Sequence, residues 1–171
     1  LFGNGARRTI KGGTGSGDVN SRFVINIEQG LEEGGFTITS KNWLNRYDEA
    51  VNEAKNIYFN GVRAKMAQQG MTAIMELFDH PFQDPAVVPI TEEELKDSKA
   101  DAAIYVISRN SGEGKDRDVL PGDYNLYPEE EACIRKLAEA YEDIILILNT
   151  GGVIDTRVIR SIKQIGAILQ M

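Results

Sequence analysis

A glutamate flanked by two glycines, Gly112-Glu113-Gly114, has more scope for acid–base chemistry than any other carboxylate in this sequence. A carboxyl group on such permissive backbone can swing toward a ligand, giving a proton to a leaving oxygen or taking one from a nucleophile. It lies in the polar loop Arg109-Asn110-Ser111-Gly112-Glu113-Gly114-Lys115-Asp116-Arg117-Asp118, where Asp116 and Arg117 can pair locally and shape the turn. The competing reading is a solvated surface loop of mixed charge, which is what charge-rich loops usually are. A second unusual segment is Lys11-Gly12-Gly13-Thr14-Gly15-Ser16-Gly17, with four glycines in six positions. It lacks the Gly-Lys-Ser/Thr ending of a phosphate-binding loop. Gly3-Asn4-Gly5 begins like a dinucleotide fingerprint, but Arg8 occupies the third glycine position. A tight strand–helix turn and a ligand-contacting loop both remain open for this segment.

Other reactive residue types have plainer readings. His80 stands beside Pro81 in a proline-rich connector and is expected to be exposed. Cys133 has no histidine near it in sequence and reads as a small packed side chain. Trp43 stands four residues before Tyr47 at helical spacing, which favours core packing over stacking on a ligand. No Cys, His or Asp cluster has metal-ligand spacing, so no metal and no cofactor are expected.

The elements that must position the two loops follow from hydrophobic period and punctuation. Val24, Ile27 and Leu31 after Ser21 predict a short helix ending at Gly34-Gly35, and Phe36–Thr39 predicts a short strand. Trp43, Tyr47, Val51, Ala54 and Tyr58 predict a long helix reaching Met66 or Gln69. His80–Pro89 reads as an extended connector, and Thr91 with Glu94 forms a capping box. Ala102–Ile107 and Ile144–Leu148 are continuous apolar runs, as expected of strands buried on both faces. Between them, Pro128 suits the first position of a helix whose acidic first turn is Glu129-Glu130-Glu131. A short helix near Thr156–Ile162 and a strand over Ala167–Leu169 follow. This alternation predicts an α/β fold, a three-layer α/β/α sandwich with a mainly parallel, flavodoxin-like sheet. In such sheets ligands bind beyond the carboxyl ends of the strands, where both loops emerge.

The chain has 171 residues, 42% hydrophobic and 26% charged, with a formal net charge of −7. That is the composition of one ordinary globular domain. The negative balance, without a compensating cationic block, argues against nucleic acid as a partner. No stretch approaches the roughly 18–20 apolar residues of a membrane span. One cysteine leaves the redox compartment open. Leu1-Phe2 and Ile165–Met171 read as strands with no neighbours beyond them, so residues 1–171 are expected to be a single domain, truncated at both ends.

Three ordered motifs carry a family resemblance. K-G-G-T-G-S-G-D-V over Lys11–Val19 resembles the glycine-rich segment of the α/β sandwich domain in bacterial β-glucosidases of glycoside hydrolase family 3. R-N-S-G-E-G-K-D-R over Arg109–Arg117 is similar to that family's acid/base loop. L-I-L-N-T-G over Leu146–Gly151 resembles the strand and turn that follow. The resemblance implies retaining hydrolysis of β-linked sugars at nonreducing ends, with an Asp nucleophile on a (β/α)8 barrel and a Glu acid/base on the sandwich domain. By motif position the acid/base is Glu113, and Ser16 contacts a sugar hydroxyl of the substrate, a β-linked oligosaccharide or glycoside. No segment matches a barrel or the nucleophile motif, and the family's Pro-Gly-rich stretch after the final strand is missing. The barrel of the same polypeptide is therefore the implied partner, and the chain alone is expected to be inactive. Sandwich domains also form contacts between chains, which leaves a homo-oligomer of the full-length enzyme open. The alternative is a non-catalytic flavodoxin-like binding or assembly module, which has no need of a glycine-flanked Glu113.

Overall fold

The computed structural model describes residues 1–13, 20–70, 82–112 and 116–171. In chain order the elements are α1 (Ile27–Glu33), α2 (Lys41–Gln69), α3 (Glu92–Asp97), β1 (Ala103–Arg109), α4 (Pro128–Ala140), β2 (Ile144–Thr150), a 3-10 turn (Ile159–Ser161) and β3 (Ile165–Gln170). They divide into two compact units, Leu1–Leu44 with Ala86–Met171, and Asn45–Pro85.

The first unit is built on a parallel sheet in the order β1-β2-β3. Tyr105 pairs with Leu146, and Leu146 with Ile168. Val106, Ile107, Ile144 and Leu146 have essentially no exposure, so β1 and β2 are covered on both faces, as their unbroken apolar runs predict. The fold is the expected α/β/α sandwich. Phe2 adds a further parallel bridge beside β1, its N–H donating to Ile104 O at 2.8 Å and its carbonyl accepting from Val106 N at 2.9 Å. The next residue, Gly3, has φ +95°, and a Cβ there would lie 2.1 Å from Val106 O. Only glycine lets the chain turn away so close to β1.

Helix α4 starts with Pro128 at its first turn, where a missing N–H costs nothing, and buries Cys133, Ile134 and Leu137 along one stripe. Helix α3 carries the predicted capping box between Thr91 and Glu94. Trp43 is buried, edge-on to Phe2 at 5.5 Å, with its indole N–H donating to Val88 O at 3.2 Å. It is a core residue. Within the second unit, Tyr58 meets the rings of Phe59 and Phe82 at 5.2 and 5.5 Å, and the Tyr47 hydroxyl donates to Pro85 O at 2.6 Å. Among the described residues no helix is long and apolar enough to cross a membrane.

Three local expectations are corrected. Helix α1 begins after Asn26, not after Ser21, because Asn26 and Gln29 form a reciprocal capping box. Phe23, Val24 and Ile25 are left exposed before it. Phe36–Thr39 is not a strand. Gly35, at φ +88°, and Phe36 donate back to Glu32 O and Leu31 O, closing α1 with a Schellman turn. The helix near Thr156–Ile162 shrinks to the single 3-10 turn.

Helix α1 is tied to the rest of its unit through Glu28, a buried carboxylate. Arg7 donates to it through Nε at 2.5 Å and Nη2 at 3.1 Å, and Lys41 Nζ reaches it at 2.5 Å. Burial alone would raise the Glu28 pKa, but the hydrogen bonds and charges of Arg7 and Lys41 outweigh it and hold the carboxyl below its ordinary 4.5. A carboxyl depressed in the folded state contributes stability that is complete above the unfolded value and is lost as pH falls through the folded one. Glu28→Gln should therefore cost about 1–3 kcal/mol at pH 7 in urea denaturation. The gap between the two proteins should close as pH drops below 4.5. A gap that stays constant from pH 7 to pH 3 would show that ionisation of Glu28 contributes nothing.

Candidate active-site edge of the sheet

The carboxyl ends of β1 and β2 are polar and buried. Ser108, Arg109, Asn149 and Thr150 are each less than a tenth exposed. Buried polar groups must find partners, and these find them in the loops. The Asn149 side chain accepts from Ile10 N at 2.6 Å and donates to Ile10 O at 2.9 Å, pairing like a strand with the residue before the glycine-rich segment. Ser108 Oγ donates to the same Asn149 oxygen at 2.7 Å. Asn4 repeats the arrangement, donating to Ser108 O at 3.0 Å and accepting from Ser108 N at 2.7 Å.

Arg109 is buried and forms an ion pair with Glu130, which is 1% exposed. The same glutamate oxygen accepts from Tyr127 N at 2.9 Å, and the guanidinium lies over the Tyr127 ring at 5.5 Å. Glu130 thus caps α4 and neutralises the base of the loop that leaves β1. The sequence reading groups Glu130 with its neighbours as helix-dipole partners and misses this pairing. It also misses the roles of Asn4 and Asn149.

Past β1, Ser111 sits close to two glycines from the other segments. A Cβ on Gly151 would meet Ser111 Oγ at 2.1 Å, and a Cβ on Gly13 would meet Ser111 O at 3.0 Å. Gly151 N donates to Arg109 O at 3.1 Å. Arg117 donates to Asp123 at 2.7 Å, and Asp123 accepts from Asp118 N at 2.8 Å. This corrects the expected local pair of Asp116 with Arg117: Asp123, six residues on, offers a carboxylate with both oxygens engaged, while Asp116 is exposed. The described parts of all three sequence motifs therefore converge at one edge of the sheet. Ser16, His80 and Glu113 lie outside the described residues.

Cys133 is buried, and burial pushes its thiol pKa up, opposite to what a nucleophile needs. Among the described residues no three His, Cys, Asp or Glu side chains are placed to hold a metal ion. A cavity of about 350 Å³ lined by Arg135, Glu139 and Ser161–Gln164 includes none of the motif residues.

The Asn149 clamp makes a measurable claim. Asn149→Ala leaves Ile10 N–H short of an acceptor and Ser108 Oγ with only the long bond to the residue 149 carbonyl at 3.4 Å, and should destabilise the chain by about 1–3 kcal/mol. Amide exchange at Ile10 should speed up more than exchange in α4. Unchanged exchange at Ile10 would refute the clamp.

A family model described as the glycosyl hydrolase family 3 C-terminal domain matches residues 1–171. Beta-glucosidase A of Butyrivibrio fibrisolvens is 30% identical over 193 residues, covering 99% of this chain and 21% of that protein. The beta-glucosidase of Ruminococcus albus is 31% identical over 157 residues, covering 91% and 15%. The chain thus spans about a fifth or less of the length of these relatives. Beta-glucosidase 3B from Thermotoga neapolitana, solved in complex with glycerol, superposes with a TM-score of 0.60 at 27% identity, over 92% of this chain and 20% of that one. A beta-glucosidase from Paenibacillus barengoltzii shares the fold, with a TM-score of 0.72 at 24% identity, over 99% of this chain and 17% of that one. With motif order, sheet topology and a match along its whole length in agreement, this chain belongs to the glycosyl hydrolase family 3 C-terminal domain family.

Proposed function

We propose that this chain is the acid/base-bearing domain of a retaining β-glycosidase that removes β-linked sugars from nonreducing ends. The observation that carries the reading is the convergence of the three motif segments at the carboxyl edge of the sheet, through Ile10 with Asn149 and Ser111 with Gly13 and Gly151. That edge is where open parallel sheets bind ligands. In sequence Glu113 follows Ser111 by two residues and Ser16 follows Gly13 by three.

In this reading Glu113 protonates the departing glycosidic oxygen in the first step and then takes a proton from the water that hydrolyses the glycosyl-enzyme. Ser16 holds a hydroxyl of the terminal sugar. The nucleophile comes from a (β/α)8 barrel in the same polypeptide, its carboxyl about 5–5.5 Å from that of Glu113. An acid without a nucleophile gives only about 10²–10⁴-fold. The isolated 171-residue chain should accordingly release nothing above background from chromogenic β-glucosides.

The full-length enzyme supplies the sharper test. Glu113→Gln removes the proton while nearly keeping the shape, so a poor leaving group such as a sugar alcohol should suffer heavily. An activated aryl glycoside needs little protonation, so its glycosylation step should be spared while hydrolysis of the intermediate slows. Azide needs no general base and should restore turnover of the activated substrate. Asp116→Asn and Asp118→Asn should show neither pattern. Azide rescue of the Asp116 variant and not of the Glu113 variant would transfer the role to Asp116.

A further inference from the structure

We propose that the adjacent glycines Gly151 and Gly152 position the acid/base by seating both stems of its loop. This rests on the assignment of Glu113 given above. The loop leaves β1 through Ser111 and returns through Arg117, with Glu113 between them in sequence. Each stem lies against one of the two glycines. At Gly151 an added Cβ would stand 2.1 Å from Ser111 Oγ and 2.7 Å from Ser111 Cβ. At Gly152 it would stand 3.1 Å from Arg117 Nε.

The seat itself is held. Gly151 N donates to Arg109 O at 3.1 Å, and Thr150 Oγ1 donates to Gly152 O at 2.8 Å. Gln170 on β3 donates to Thr150 O at 3.0 Å. Arg117 is anchored at its far end by Asp123, its partner at 2.7 Å. Neither glycine has the positive φ that would by itself demand glycine, so the requirement is one of space. A methyl at Gly151 collides with the short Ser111 side chain, which has no flexible end to move aside. The stem must shift, and the residue two positions on shifts with it. A methyl at Gly152 presses on a long arginine and displaces less.

Displacing a catalytic group by about 1 Å can cost about 10²-fold in rate. A misplaced proton donor hurts only where protonation matters, so the loss should depend on the leaving group. In the full-length enzyme, Gly151→Ala should lower kcat for a β-linked disaccharide by about 10²-fold. The glycosylation rate of an activated aryl glycoside should stay near that of the wild type, while its kcat and KM fall together as base-assisted hydrolysis of the intermediate slows. Gly152→Ala should show the same pattern more weakly. Removing the obstructing side chain should reverse the effect. In Gly151→Ala with Ser111→Gly, the nearest remaining Ser111 atom is its backbone N at 3.3 Å, close to ordinary contact, so disaccharide activity should largely return.

Amide exchange over residues 109–117 should rise in Gly151→Ala and fall back in the double variant. An equal loss in the glycosylation rate of both substrates, or a disaccharide loss that Ser111→Gly does not repair, would overturn the proposal and leave Gly151 as a fold residue. Should Gly151→Ala fail to fold, Gly152→Ala carries the same leaving-group comparison. Glu113→Gln is measured alongside. If that variant shows no leaving-group dependence, the acid/base assignment fails, while seating of the loop is still decided by the exchange data.

Discussion

A parallel sheet whose strands end in buried polar residues must satisfy them, and this domain does so with its loops. Ser108, Arg109, Asn149 and Thr150 end β1 and β2, whose earlier positions are hydrophobic and buried for the most part. Left unpartnered, each would cost about 1–3 kcal/mol, more for the guanidinium. Their partners are Asn4 and Ile10 of the amino-terminal segment, Glu130 of α4, Gly152 of the turn after β2 and Gln170 of β3. Satisfying the sheet and assembling the edge are therefore a single event. The loops are placed there by the hydrogen-bonding needs of the strands.

The Arg109–Glu130 pair shows the energetics most plainly. Two charges this deep repay their desolvation only when geometry and supporting bonds are good. Here Glu130 also holds the first turn of α4 through Tyr127 N, and Arg109 also donates to Ser108 O at 3.1 Å and lies over the Tyr127 ring. Arg109 Nε and Glu130 Oε1 have no hydrogen-bond partner among the described residues. The pair is a register device more than a source of net stability. It locks the end of β1 to the start of α4, which bounds the intervening loop at both ends.

Small residues complete the edge where hydrogen bonds cannot. Gly3 lets the chain cross β1 against Val106, and Gly13 and Gly151 admit Ser111 between them. At Gly3 and Gly151 the approach is closer than any Cβ would permit, and at Gly13 a Cβ would be tight. Polar clamps fix direction and glycines fix distance. Together they bring segments more than a hundred residues apart to one place, as the pairing of Ile10 with Asn149 illustrates.

Much of the fold was legible in residue order alone, because it depends on local period and local punctuation. The apolar runs of β1 and β2, Pro128 at the head of α4 and the Thr91–Glu94 box each state their element within a few residues. The three motifs were legible for the same reason, as contiguous strings. Phe36–Thr39 was misread because a β-forming composition makes a strand only if a neighbour offers a ladder, and the Schellman turn at Gly35 had already committed that backbone. Asn149 gave no local sign of clamping Ile10, nor Asp123 of taking Arg117, nor Glu130 of meeting Arg109. Hydrogen bonds and ion pairs between distant residues depend on which strands are neighbours, and that order exists only once the sheet has formed. Residue types and spacing determined by themselves which segments could bear chemistry. Tertiary structure decided which side chains hold those segments together, since only packing sets which buried groups must find each other.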